Sequence, residues 1–183
     1  EIIPHALSSY RVQPYLFRGF WADVGTVTSF YDVNLMFARR GTPFSFFHPT
    51  RPIYTHPRFL PAARVHNCRI NEALVARGVY LDSCEVETRV VGIRGTIRSG
   101  TRVNRSILLG ADFYEDDGSE LPLGIGHDAQ LDRVIVDKNA RIGDGVRLVN
   151  ERGVQEADGD GYYVRNGIII VPKGGVVKPG TVV

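Results

Sequence analysis

The aliphatic residues in the C-terminal two thirds of this chain are spaced by five or six residues, a pacing that matches neither the helical period of 3.6 nor the simple strand period of 2. Ile70, Val75, Leu81, Val86, Val91, Ile97, Val103 and Leu109 follow one another in this way. The pacing resumes at Ile125, Leu131, Val136, Ile142 and Leu148, and again at Val171, Val177 and Val183. Small or turn-forming residues fill the gaps, as in VGIRGT, IGDGVR and VPKGGV. A hexad of this kind predicts a mainly β fold, a left-handed parallel β-helix in which three short sides make a coil of about 18 residues. Each aliphatic points inward and stacks on its equivalent one coil away. Glycine suits the corners, where φ is often positive and neighbouring coils approach to about 4.8 Å. Hexapeptide solenoids are the left-handed exception to the crossover rule. The competing fold is a β-sandwich, which would show alternating apolar residues and hairpin signals such as NG or DG every 8–12 residues.

Two polar, acidic segments interrupt the pacing, GADFYEDDGSELPLG at 110–124 and NERGVQEADGDGYYVRNG at 150–167. They are expected to leave the coil at corners and return in register. Three steps make one coil, so Ile70 should stack on Val86, and Cys68 and Cys84, each two residues earlier, should be neighbours. By the same count Lys138 and Lys173, each two residues after Val136 and Val171, should share a face one coil apart.

The first ~60 residues are different, being rich in aromatics and proline. VTSFYDVNLMFARR places Phe30, Val33, Asn34 and Phe37 at helical spacing, with Thr28 or Ser29 as N-cap, Arg39 and Arg40 in the last turn and Gly41 as stop. Pro43, Pro49, Pro52, Pro57 and Pro61 exclude helix and central strand, so 42–64 reads as an ordered linker clamped by its aromatics and joining two packed bodies.

Composition removes several functions. No run approaches the roughly 20 apolar residues of a membrane span, and EIIPHALSSY lacks the features of a signal peptide, so a soluble, cytoplasmic protein is expected. The 22 cations, 19 of them Arg, are scattered along a chain of net charge +2, which gives no footprint for nucleic acid. Cys68 and Cys84 are too few for a disulfide framework or zinc site and are expected as reduced thiols.

Two ammonium groups on one face repel each other unless solvent screens them or an anion bridges them. Lys138 and Lys173 are therefore a candidate phosphate or carboxylate site, with Lys178 and Arg141 as possible additions; a solvated cationic face is the plain alternative. Asp23, in GFWADVGT, could hold Mg²⁺ beside a phosphate or simply close a turn. Asp112, Glu115, Asp116 and Asp117 lack the spacing of an EF-hand and read as a solvated acidic corner. His127 could serve as the coil-edge base of a hexapeptide acyltransferase, but no acidic residue is placed to orient it, and a surface histidine fits better. The chain carries no GxSxG, P-loop, HExxH or GxGxxG.

GFWADVGTVTSFYDVNL, RPIYTHPRFLP, LLGADFYE, VDKNARIGDGV and GIIIVPKGGVVKPGTVV, in that order along nearly the whole chain, closely resemble the C-terminal third of glucose-1-phosphate adenylyltransferases, the ADP-glucose pyrophosphorylases. The resemblance implies a part of an enzyme that joins ATP and glucose 1-phosphate into ADP-glucose and pyrophosphate with Mg²⁺, at the entry to glycogen or starch synthesis. It further implies that 1–41 is the closing α/β remnant of a nucleotidyltransferase domain and 65–183 a regulatory and oligomerisation domain of a homo- or hetero-tetramer, cytoplasmic or in the plastid stroma. Asp23 matches a metal-binding carboxylate of the family, and Trp21 lies on the sugar-phosphate side of the same site. Lys138 and Lys173 match lysines that bind an anionic activator, and Arg58 an arginine of the same kind of site. His56 departs from the usual Gln, and the effector could be 3-phosphoglycerate, a fructose phosphate or pyruvate. The family's Gly-rich nucleotide loop is not in this sequence, so no catalytic site is complete, the chain alone is expected to be inactive, and an interface left bare would favour self-association. Another sugar-nucleotide pyrophosphorylase with a β-helical tail, or a non-catalytic regulatory subunit, are the rival readings.

Overall fold

In a computed structural model, which describes residues 2–115 and 120–183, the hexad spacing becomes a stack of parallel rungs. Two helices come first, α1 (Ile2–Ala6) and α2 (Val27–Ala38). The first coil holds β1 (Arg64–His66) and β2 (Arg69–Val75), the second β3 (Tyr80–Asp82) and β4 (Glu85–Val91), and the third β5 (Thr96–Ile97) and β6 (Arg102–Leu108). Coil four is β7 (Gly124–Ile125), β8 (Gln130–Asp132) and β9 (Val134–Val136). Coil five is β10 (Arg141–Ile142), β11 (Arg147–Leu148) and, after an excursion through β12 (Glu156–Gly159) and β13 (Tyr162–Arg165), β14 (Ile168–Val171). A sixth coil opens with β15 (Val176–Val177).

One flank stacks β1, β3, β5, β7, β10 and β15, all parallel. Strands β2, β4 and β6 each turn a corner: the first half of β6 is followed in the stack by β8 and β11, its second half by β9 and β14. Three aliphatic columns fill the interior. They are Leu81, Ile97, Ile125, Ile142 and Val177; Val86, Val103, Leu131 and Leu148; and Val91, Leu108, Val136 and Val171, every one of them buried. Both insertions return in register, since Ile97 pairs with Ile125 and Val136 with Val171.

The third column corrects the ruler by one residue: Leu108 points inward, and Leu109 lies outside, against the helix side of the flank. The corner within β6 uses one residue fewer than the count allowed. Ile70 stacks on Val86 as expected but stays exposed, because no coil covers the first one. Nor is glycine what marks every corner. Glu72, Thr88, Arg105 and Arg133, at equivalent corner positions, all have φ between 42 and 59°, a region that costs an L-residue about 1–2 kcal/mol. The second insertion is an antiparallel hairpin, β12 with β13, whose Val164 enters the core. Asp116 and Asp117 of the first lie outside the described residues.

Helix α2 begins earlier than its spacing indicated. Thr26 is the N-cap, its Oγ1 accepting from the Ser29 N–H at 3.1 Å while Ser29 Oγ accepts from the Thr26 N–H at 3.2 Å, a reciprocal box that satisfies two orphan donors. The helix ends at Ala38, so Arg39 and Arg40 lie beyond it. Its buried residues are Tyr31, Leu35 and Ala38; of Phe30, Val33, Asn34 and Phe37, set at helical spacing, Phe30 is partly buried against the same cluster. Tyr31 and Leu35 pack on Ile107, Ile135 and Ile168, which face outward from β6, β9 and β14. This flank is therefore covered on both sides, which explains its continuous apolar runs SIL, VIV and IIIV. On the opposite side of the helix Phe37 meets Phe44 and Phe46, each at a 4.7 Å ring separation, so aromatics do clamp the proline-rich stretch.

Candidate anion site

Strands β9 and β14 are register partners, and two residues beyond their last pair, Val136 and Val171, come Lys138 and Lys173. The backbone continues the ladder there, the Gly174 N–H donating to Lys138 O at 2.9 Å. The two lysines, 35 positions apart in sequence, thus share a corner on adjacent coils, as the hexad count required.

They meet on a carboxylate. Lys138 Nζ donates to Asp112 Oδ1 at 2.8 Å, and Lys173 Nζ lies 2.9 Å from Asp112 Oδ2. Asn139 Nδ2 also donates to Oδ2, at 3.1 Å, and Asn139 Oδ1 accepts from the Asp112 N–H at 2.8 Å. The hydrogen bond from Lys138 and then that from Lys173 hold the Asp112 carboxyl well below the usual carboxylate range, while Asp112 in turn raises the Lys173 ammonium. Asp112 is exposed, as a solvated corner requires, but it is not unpaired. It is the counter-ion of both lysines.

Register explains how it gets there. Gly110 occupies, one coil earlier, the place that Lys138 and Lys173 take, because Leu108 is the partner of Val136. Its φ is 81°, and a Cβ there would lie 2.0 Å from Ile93 O, so only glycine lets the chain leave the coil at this corner and carry Asp112 across the lysines. The signal was in the sequence as GAD, placed by counting back from the lysines. Sequence reasoning had the lysines and missed their partner.

The remaining candidates disperse. Arg141 pairs with Glu115 at 2.5 Å and donates to Leu121 O at 2.6 Å, and Lys178 pairs with Asp160 at 2.8 Å. Among the described residues Arg58 makes no ion pair with Asp112 or its neighbours; it is exposed in the stretch before β1, as is His56. His127 Nδ1 lies 2.8 Å from Ser99 Oγ, and among the described residues no carboxylate hydrogen-bonds to its ring. Asp23 is exposed and closes a turn, Oδ1 accepting from the Gly25 N–H at 2.9 Å; Trp21 beside it is 76% exposed. No group of three or more His, Cys, Asp or Glu among the described residues is arranged to hold a metal ion.

The family model described as the GLGC left-handed parallel beta-helix domain matches residues 58–182, well over half of the chain. The match fixes the hand of the coil and spans Asp112, Lys138 and Lys173.

Proposed function

The chain belongs to the GLGC left-handed parallel β-helix family, the C-terminal domain of glucose-1-phosphate adenylyltransferase, and from that premise we propose that it is the regulatory and assembly part of such an enzyme, binding an anionic effector at Lys138 and Lys173. The carrying observation is the convergence of two lysines from adjacent coils on one carboxylate. A corner that holds a carboxylate between two ammonium groups has the donor set for a phosphate or carboxylate of a small metabolite. A phosphate dianion offers more charge and more acceptor oxygens than Asp112, so it can displace the internal carboxylate. 3-Phosphoglycerate, a fructose phosphate and pyruvate are ranked by this logic, the phosphorylated ligands above pyruvate.

The parent reaction is the joining of ATP and glucose 1-phosphate into ADP-glucose and pyrophosphate, for glycogen or starch synthesis. Mg²⁺ would supply charge neutralisation at the phosphates, and Mg²⁺ is ordinarily held by one or two carboxylates together with substrate oxygens. Asp23 fits as one such carboxylate, exposed and already oriented by Gly25; further ligands would come from a nucleotidyltransferase domain. Trp21 would present its ring to the sugar phosphate. Exposed Tyr15, Leu16, Phe17 and Trp21 are the surface on which that domain would pack, and subunits would assemble into a homo- or hetero-tetramer through the solenoid.

The test is calorimetric titration of 3-phosphoglycerate into this chain, repeated with Lys138→Ala and Lys173→Ala. Each variant should weaken binding about tenfold or more, the loss of one charge-assisted hydrogen bond. In the intact enzyme the same variants should blunt activation and leave the basal rate nearly unchanged. Activation in both variants equal to the parent's would remove the assignment. The isolated chain should form no ADP-glucose.

A further inference from the structure

We propose that Cys68 and Cys84 are a modification site, a dithiol that closes to an intramolecular disulfide under a low-molecular-weight disulfide such as oxidised glutathione and thereby ties the first coil of the solenoid to the second. The two residues precede the register partners Arg69 and Glu85 and Ile70 and Val86, and the Arg69 N–H donates to Cys84 O at 3.0 Å. Adjacent rungs of a parallel sheet lie about 4.8 Å apart, inside the Cα separation of about 4.4–6.8 Å that a disulfide spans without backbone movement. The side chains are already directed at each other, with Sγ atoms 3.3 Å apart. Both are free thiols.

The surroundings assign the order of events. Cys84 is 3% exposed and burial pushes its thiol up to about 12, whereas Cys68 is partly exposed at the end of the solenoid that no coil covers. Its sulfur donates to His66 O at 3.1 Å, and both cysteines border an open hollow of about 540 Å³ together with Val65, Asn67, Arg69, Ser83 and Glu85, so the greater exposure of Cys68 decides the order. Cys68 is the entry thiol. Its thiolate attacks one sulfur of oxidised glutathione, the S–S bond breaks, and one glutathione leaves as thiolate and takes up a proton. Cys84, deprotonated by solvent, then attacks Cys68 Sγ and expels the second glutathione. The protein loses two hydrogens, and the oxidant gains them as two molecules of reduced glutathione. Arg89 follows Cys84 by five residues in the second coil. It is 1% exposed, among the described residues its guanidinium donates to the Glu87 and Glu85 backbone carbonyls at 3.0 Å, and its charge lowers the Cys84 thiol against the larger effect of burial. A buried cation is what a developing thiolate requires in so dry a place.

The consequence is mechanical. The first coil carries exposed Val65 and Ile70 and is covered on one side only, so it is the part of the ladder that opens most readily. A covalent link to coil two removes that freedom.

The full chain, incubated with oxidised glutathione, alkylated with a maleimide and weighed intact, should show the loss of two hydrogens and no alkylation, and peptide mapping should join the segments holding Cys68 and Cys84. Trypsin should then cut at Arg64 and Arg69 at least tenfold more slowly than in the reduced chain. Cys84→Ser should stop at one glutathione on Cys68, and Cys68→Ser should leave Cys84 unmodified while the chain remains folded by circular dichroism. Two thiols still alkylated after oxidation, a stable glutathione adduct on the parent chain, or equal proteolysis of the two forms would overturn the proposal.

Discussion

Replacing Leu35 by alanine tests whether α2 is an integral part of the solenoid or a passenger on it. Leu35 is 4% exposed and, with Tyr31, forms the apolar contact to Ile107, Ile135 and Ile168. Leucine-to-alanine changes in cores cost about 2–5 kcal/mol, the spread reflecting how far the cavity collapses. Here the site lies between a helix and an outer flank, where α2 can settle inward, so the lower part applies, about 2–3 kcal/mol. Helix α2 is one cooperative unit on a separate face from the inner columns. The loss should therefore fall on its undocking rather than on the coil. Native-state hydrogen exchange reads both. Amides of Leu35–Ala38 should exchange about 30- to 150-fold faster, whereas the Ile97, Ile125 and Ile142 rungs should keep their protection. Equal acceleration in helix and rungs would mean that the two unfold together, and unchanged helix amides would mean that the packing contributes nothing; either result refutes the reasoning.

Ile97→Ala, at a fully buried position between Leu81 and Ile125, should cost about 2–5 kcal/mol and Ile97→Val about 0.5–1.5, measured by urea unfolding. Burial raises the Tyr31 phenol to about 12, and its hydroxyl donates to Arg105 O. Its contribution is complete below the ordinary tyrosine value of about 10 and is lost as pH rises through 12, so alkaline undocking of α2 should appear in the parent and be absent from Tyr31→Phe. The Asp112 carboxyl, held low by Lys138 and Lys173, contributes stability that is complete above about pH 4 and fades as pH falls below it; thermal melts of Asp112→Asn should lose that acid-side slope.

The columns were legible because a stacked interior admits only aliphatics at a fixed spacing, and Val86, Val103, Leu131 and Leu148 keep that spacing without the alternation a β-sandwich would show. Corners were not, since Thr88 and Arg105 adopt positive φ without being glycine and nothing in a side chain announces that. Leu108 and Leu109 were indistinguishable by count, because the flank that receives α2 is apolar on both faces. The same docking hid the helix face: Tyr31 and Leu35 are buried by a partner more than 70 residues away, which local spacing does not show, so it favoured Phe30, at the edge of that contact, and Phe37, which meets the aromatic clamp instead. Cys68 and Cys84, and Lys138 and Lys173, came together as the register demanded. Asp112 was missed because it lies on an excursion, where the ruler stops.

One arrangement links the proposed effector to the rest of an enzyme. Strands β9 and β14 carry Ile135 and Ile168 against α2 on their outer face, and within five residues of these contacts the chain reaches Lys138 and Lys173, each two residues beyond its strand. The N-cap of α2, Thr26, is three residues after Asp23. An anion that displaces Asp112 changes the charge at the end of two strands on which the helix leading back to Asp23 is seated. Such an anion regulates only if it binds more tightly to one placement of α2 than another, and the coupling must then be reciprocal. Phosphate or 3-phosphoglycerate at saturation should therefore alter the exchange of α2 amides in the parent chain and leave them unaltered in Lys138→Ala. Leu35→Ala, far from the lysines in chemistry but not in structure, should shift the anion affinity only as far as it populates undocked α2, and by no more than the factor by which the anion shifts helix exchange. If saturating anion leaves the exchange of α2 amides unaltered in the parent chain, the two sites are not linked through β9 and β14, because a coupling free energy that acts on the anion must act on the helix as well.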